Sequence, residues 1–430
     1  MFYRRLLAVP AFVALGTLLI GSASAGASPI TMPTLPNEIA KENAIIAAHR
    51  AINPPAPPCP ESGMLPSPFS NCGLPETPAT TLPYPGPMAY WGGHVQVTPK
   101  VYLVYWGWGE PGAFAAGATC KTVRLRYGQA RGRLKCDPDG VGARMADFTS
   151  QLGGTAWAGT TTQYFQTVGG QTQHITNPAD VLAGIWVDDT NDGDLSKTSS
   201  SNPPGPNNTY TDLAAEAARA VAHFHIKDLA NSNVVVAQPP NFTDPNALAS
   251  GYCAFHDYTY PGVEHGIYNG IKSGISYTNM PYVLAINAEP IGGGEPSNVC
   301  GVNAVNSGEA GKLDGVSIVL GHEIEETTTD PGAEYIVGSG ANKTNLGGWY
   351  DTVDANENGD KCAWVGEPLV GGIPGAPTVV PIPGAMSDIT GNRGGTFAVQ
   401  SLWSNEGAGG AGYCQGSANE LPERAHRSKV

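Results

Sequence analysis

Charge is scarce in this chain, and positive charge is scarcer still. Only 14% of the 430 residues are Asp, Glu, Lys or Arg, and 23 basic residues face 37 acidic ones, for a formal net charge of −14. A nucleic-acid binder needs a basic footprint, so no nucleic-acid partner is expected. The cysteine spacing sets aside a second class. None of the eight cysteines lies two to four residues from another, which removes the zinc–thiolate knuckle. Long apolar runs are missing after the first 25 residues. Arg4 and Arg5 precede the apolar run 6–20, and Ala23-Ser24-Ala25 follows. That order reads as a secretory signal peptide, 1–25, cut after Ala25. The run falls short of the ~20 apolar residues that span a bilayer. A secreted, extracellular protein is expected, with no membrane span in its mature form.

Glycine (56) and proline (37) are abundant instead. Residues 26–88 are Pro- and Ala-rich and read as a linker or pro-segment, with one short helix near 36–51. Proline removes backbone donors and disfavours helix and central strand. The domain proper is placed at 89–415, and 416–430 is a polar tail. An even number of cysteines behind a signal peptide implies disulfides. Neighbour pairing is the simplest arrangement: 59–72, 120–136, 253–300 and 362–414. The segment between Cys120 and Cys136 carries Lys121, Arg124, Arg126, Arg131, Arg133 and Lys135 and reads as an exposed, disulfide-closed hairpin.

Apolar patterning predicts a buried strand pair over 94–108 and strands at 180–187, 233–239, 281–287 and 396–405. Helices are predicted over 144–153, 159–167, 211–229 and 312–329. Interleaved strands and helices point to an α/β or α+β layered domain with a mixed sheet.

The densest chemistry lies in the last of these helices, DGVSIVLGHEIEETTTDPG (314–332). His322 and Glu326 are four apart and share a helix face, so both can reach one metal ion. Glu323 lies beside them, placed to take a proton from metal-bound water. That is the logic of the H-E-x-x-H helix, with Glu326 in place of the second histidine. A carboxylate ligand favours a harder cation. The third ligand is open between Asp330, turned back by Pro331, and Glu357 or Asp360. Tyr350 is a candidate hydroxyl for a developing oxyanion. Asp354, Asn356, Asn358 and Gly359 match half of a calcium loop, although Val365 stands where its last ligand belongs. DDTNDGD (188–194) is a weaker version and reads as a solvated turn. His223 and His225 read as packing histidines, and His94 and His256 as cleft or core. The opposing possibility for the whole motif is a helix whose polar face is simply wet.

The blocks WGGHVQVTPKVYLVYWGWG, GYCAFHDY, DGVSIVLGHEIEETTTDP, GGWYD, ENGDKCAW and FAVQSLWSN, in that order, resemble a family of secreted bacterial proteins. That family is similar, more distantly, to the plant phosphate-induced (exordium-like) extracellular proteins. The resemblance covers about 88–415. It implies a zincin-like site and carries over His322, Glu323, Glu326, Asp330, Glu357 and Asp360. Its bacterial members look like zinc-peptidase relatives, whereas the plant members do not generally keep the His-Glu pair. The expectation is a metal-dependent hydrolase, zinc more than calcium, acting on a peptide or cell-wall polymer. The alternatives are a non-catalytic cell-wall binding protein with a structural ion and, more weakly, a glycoside hydrolase using two of the carboxylates.

Overall fold

Seven residues, KVYLVYW, set the architecture. They form strand β1 (Lys100–Trp106) and alternate between two interiors. Val101, Leu103 and Tyr105 face one apolar cluster, and Val104 and Trp106 face another. Period-two alternation with both faces apolar means that both sides of the strand are covered. The structure is a computed structural model that describes residues 87–189, 209–244, 247–248, 252–259, 274–288, 300–333, 335–337, 343–351, 355–362, 386–406 and 413–415. The signal peptide, nearly all of 26–88, the Cys59–Cys72 pair, Asp354 and the 416–430 tail lie outside the described residues.

The main sheet adds β2 (Leu182–Asp188), β3 (Ser232–Ala237), β4 (Phe255–Thr259) and β5 (Ile275–Met280) to β1, in the spatial order β2-β1-β3-β5-β4. The first four in that order run parallel, and β4 is antiparallel to β5. The domain is therefore mixed α/β, as expected. Helices α1 (Val141–Leu152) and α4 (Asp314–Thr329) pack on one face through Met145, Phe148, Val316 and Leu320. Helix α2 (Thr209–Phe224) covers the other face through Leu213, Ala217 and Ala220. Among the described residues, no helix is long and apolar enough to cross a membrane. The disulfides Cys120–Cys136, Cys253–Cys300 and Cys362–Cys414 are formed, three of the four neighbour pairs expected.

Four expectations need correction. The apolar run at 281–287 is not a strand but a short helix, α3 (Val283–Ala288). Val283 and Ile286 are buried three apart, and the Tyr282 carbonyl accepts from the amides of Ala285 and Ile286. Short apolar runs do not separate strand from helix, and the strand is its predecessor, β5. The segment 159–167 is a 3-10 turn (Ala158–Gln163) and then a strand (Phe165–Val168). There the Thr161 and Thr162 hydroxyls bond carbonyls three residues back, and such local bonds compete with a regular helix. Only one strand forms in 94–108, because Pro99 precedes it and the Gln96 amide is spent on the Thr328 carbonyl. The late strand is two, Thr396–Gln400 and Leu402–Ser404.

On the far face, Glu216 of α2 is fully buried and accepts from Arg219 Nε at 2.8 Å. Burial, aided by Asp188, outweighs the guanidinium and pushes its carboxyl up from 4.5 to about 8. Between those values the folded chain holds a proton that the unfolded chain has lost, so unfolding releases it. This group's contribution is complete below pH 4.5 and is lost as the pH rises through 8. Glu216→Gln is expected to flatten the fall in melting temperature between pH 5 and 8. Parallel profiles for the two proteins would remove Glu216 as the cause.

Candidate metal centre

Helix α4 explains how carboxylates come to lie inside. Val316, Ile318, Leu320 and Ile324 are all buried, and burying each such side chain stabilises by about 1.5–3 kcal/mol. The helix is thereby drawn into the core along its whole length. Its polar residues go with it: Glu323, Glu325 and Glu326 are 3–4% exposed, and His322 is its one half-buried member. The wet-face possibility is therefore wrong. Threonines 327–329 do not end the helix early, because their hydroxyls bond the carbonyls of Glu323, Ile324 and Glu325. Asp330 then leaves helical geometry, as the following Pro331 requires.

Two other segments bring polar groups to the carboxylates of this helix. One is β4, which points His256 at it and Asp257 the opposite way, toward the Tyr277 hydroxyl. The other is the loop 355–362. The loop is held from several sides: Asn358 O accepts from Trp403 N, and Gly359 O from Gln400 Nε2. Cys362 is bonded to Cys414. Lys361 is buried, ion-paired with Asp351 at 2.9 Å and 4.4 Å from the centre of the Trp403 ring. Gly359 lies against the helix so closely that a Cβ there would come within 2.7 Å of both Glu326 Oε1 and His322 Nδ1.

Among the described residues, two clusters able to hold a metal ion result, and they share Glu326: His322 with Glu326 and Asp360, and His256 with Glu323 and Glu326. In the first, His322 Nε2 is 3.0 Å from Glu326 Oε1 and 3.7 Å from Asp360 Oδ1. The Asp360 amide donates to the same Glu326 oxygen at 2.8 Å. In the second, His256 Nδ1 is 3.6 Å from Glu323 Oε2 and 3.8 Å from Glu326 Oε2. Those gaps are too long for hydrogen bonds. They are close to the ~3.4 Å edge of a tetrahedron built on ~2.1 Å metal–ligand bonds. His256 Nε2 faces the Asp330 carbonyl at 3.1 Å. A carbonyl only accepts, so Nε2 carries a hydrogen and Nδ1 is the atom turned to the carboxylates. Glu357 Oε1 is 3.4 Å from the same Nε2. Glu323 Oε2 and Glu357 Oε1 are buried and make no hydrogen bond.

The electrostatics follow from three glutamates and an aspartate around two imidazoles. Burial works against charge on His322, but Glu326, Glu323 and Asp360 outweigh it and hold the imidazolium up to about 10. His256 is likewise raised, Glu357 and Glu323 overcoming its burial. Burial and repulsion by Glu326 lift Asp360 to about 7. Burial also raises Glu323 and Glu357, whereas for Glu326 the two histidines overcome burial and keep it ionised. Without a cation, protons on the histidines balance the carboxylates. A divalent ion bound there would take the place of those protons.

The remaining sequence candidates are placed as follows. Asp330 Oδ1 accepts the Gly348 amide at 2.7 Å, so it ties the helix end to the next segment. Tyr350 stacks on Trp91 at 4.8 Å, and its hydroxyl accepts from Asn345. Asn356 donates to Asp351, and Asn358 lies 3.4 Å from the Glu325 carbonyl. Glu325 points elsewhere, beside Thr161, and burial lifts it to about 8. His223 stacks on Trp186 at 4.3 Å, and His94 packs against Tyr258. His256 is the functional candidate that sequence reasoning left undecided. Its one signal is position: a histidine three residues after a disulfide cysteine, on a strand whose neighbouring positions alternate sides. No family model, curated protein or solved structure matches the chain.

Proposed function

We propose that this chain is a secreted, disulfide-stabilised, metal-dependent hydrolase of zinc-peptidase type. His322, Glu326 and Asp360 hold the cation, and a peptide or cell-wall polymer is the substrate. One observation carries this choice of ligands. Within the shared cluster, the side chains of His322 and Asp360 are 17% and 37% exposed, against 4–7% for His256, Glu323, Glu326 and Glu357. Catalytic metal sites keep an open position, whereas structural ones are closed. The bound cation supplies an acidified water and polarises a carbonyl. Glu326 stays ionised under the two histidines. Glu323 is one residue from His322, in a dry setting that raises its affinity for protons, and it is the group that accepts the proton. The resemblance to secreted bacterial zinc-peptidase relatives supports the same reading.

A second reading rests on the geometry of His256. Its fixed Nε2–H and the 3.6 and 3.8 Å gaps at Nδ1 suit a closed site in which His256, Glu323 and Glu326 hold a structural ion, zinc or calcium, in a cell-wall binding protein of the exordium-like kind. Metal content of two single variants separates the readings. In the hydrolase, His322→Gln loses the ion and His256→Gln retains it. The reverse pattern would sink the choice of the open cluster.

A further inference from the structure

We propose that the disulfide-closed hairpin 120–136 is a docking surface for a linear acidic polysaccharide. This proposal is independent of the metal centre. The strands Val123–Tyr127 and Ala130–Leu134 pair antiparallel, with Arg124 opposite Arg133 and Arg126 opposite Arg131. All four arginines are exposed, while Leu125, Ala130 and Leu134 alternate with them and are buried. Residues two apart on a strand are ~7 Å apart and directly opposed ones ~5 Å apart. Four guanidiniums therefore rise from a patch of about 7 by 5 Å on one face.

This arrangement costs stability in the free protein. Like charges directly opposed across a strand pair destabilise it, and none of the four arginines has an ion pair or hydrogen bond with a described residue. Only Lys135, at the end of the hairpin, is compensated, by Asp189 at 2.7 Å. The hairpin is nevertheless held firmly. Cys120 and Cys136 close its base. Its inner face packs into the main core, where Gly132 admits Ile185 so closely that a Cβ would lie 2.4 Å from Ile185 Cγ2. A rigid platform with uncompensated guanidiniums, in a chain of net charge −14, fits an external polyanion.

The kind of polyanion follows from what the face lacks and what surrounds it. The arginine positions alternate with no exposed aromatic, so single-stranded nucleic acid finds no stacking platform. A duplex carries a charge every ~1.7 Å and would be repelled by the acidic remainder. A polymer with one carboxylate per sugar carries its charge more sparsely than a duplex, so it can meet the four guanidiniums and remain tolerable to the acidic rest of the surface.

The test is binding of the purified protein to polygalacturonate, followed by calorimetry across a salt series. The wild type should bind at low salt and weaken steadily as salt rises. The R124Q/R126Q/R131Q/R133Q variant should bind about 30-fold less tightly, on the modest worth of each exposed charge pair. It should melt no lower than the wild type, because repulsion is relieved. The corresponding four-lysine variant should keep most of the affinity. If the four-glutamine variant does not fold, R126Q/R131Q should show a partial loss. The proposal is overturned if the wild type does not bind, if the glutamine variants bind as well as the wild type, or if a duplex oligonucleotide binds more tightly than polygalacturonate.

Discussion

Glu326→Ala is expected to empty the metal centre. Wild-type protein purified after growth with zinc and calcium should carry close to one divalent ion per chain, and the variant less than about a tenth of that. The expectation rests on one carboxylate serving both clusters. Glu326 Oε1 faces His322 at 3.0 Å, and Oε2 faces His256 at 3.8 Å. Whichever cluster holds the ion, its removal takes away a buried ligand that is 3% exposed. Removing even an outer partner of a metal ligand typically costs 10–100-fold in affinity, so losing the ligand itself should cost at least about 100-fold. The variant also leaves His322 and His256 buried with one carboxylate fewer, and a charge left unpaired inside is costly. A lower melting temperature should therefore accompany metal loss. Mass spectrometry on the two proteins is the measurement. Wild type without metal under those conditions would end both metal readings at once.

The second large effect concerns Glu323→Gln. The amide keeps the shape of the side chain but does not accept a proton. General-base catalysis is typically worth 10²–10⁴-fold, and hydrolysis of a peptide or casein substrate should fall by about that much. Metal content should not change. The melting temperature should change little, because the amide relieves a carboxylate oxygen that is buried without a hydrogen bond, while His256 loses one of its facing carboxylates and keeps Glu326 and Glu357. Metal lost in Glu323→Gln would mean that this carboxylate is a ligand, and the structural-ion reading would gain. Activity retained with metal retained would remove Glu323 from the chemistry altogether.

Much of this site could be read from the sequence because it depends on local spacing. The i,i+4 relation of His322 and Glu326 needs only a helix, and the apolar residues before it announce that the helix is buried. The three described disulfides were legible for a similar reason, since near neighbours in sequence close the cheapest loops. His256 was not legible, because a histidine on a strand gains its meaning from what crosses above it. Asp330 and Asp360 show the same limit. Both are carboxylates just beyond the helix or in a nearby turn, and only the path of the loop 355–362 decides that Asp360 meets His322 while Asp330 caps Gly348. The α3 region was misread because PYVLAIN has too few residues to show a period. β5 was missed because its residues, ISYTNM, are largely polar yet wholly buried.

The two clusters draw on three stretches far apart in the chain: β4, helix α4 and the loop ending at Cys362. A cation bound there acts as a reversible cross-link that exists only in the native state. It would hold the edge strand, the helix and the loop together and slow their separation, as the neighbouring disulfide does permanently. Unlike the disulfide, this fastening can be undone by a chelator or by acid, which protonates the ligands. The same residues would therefore set how long the chain survives outside its native buffer, whether or not it turns over a substrate.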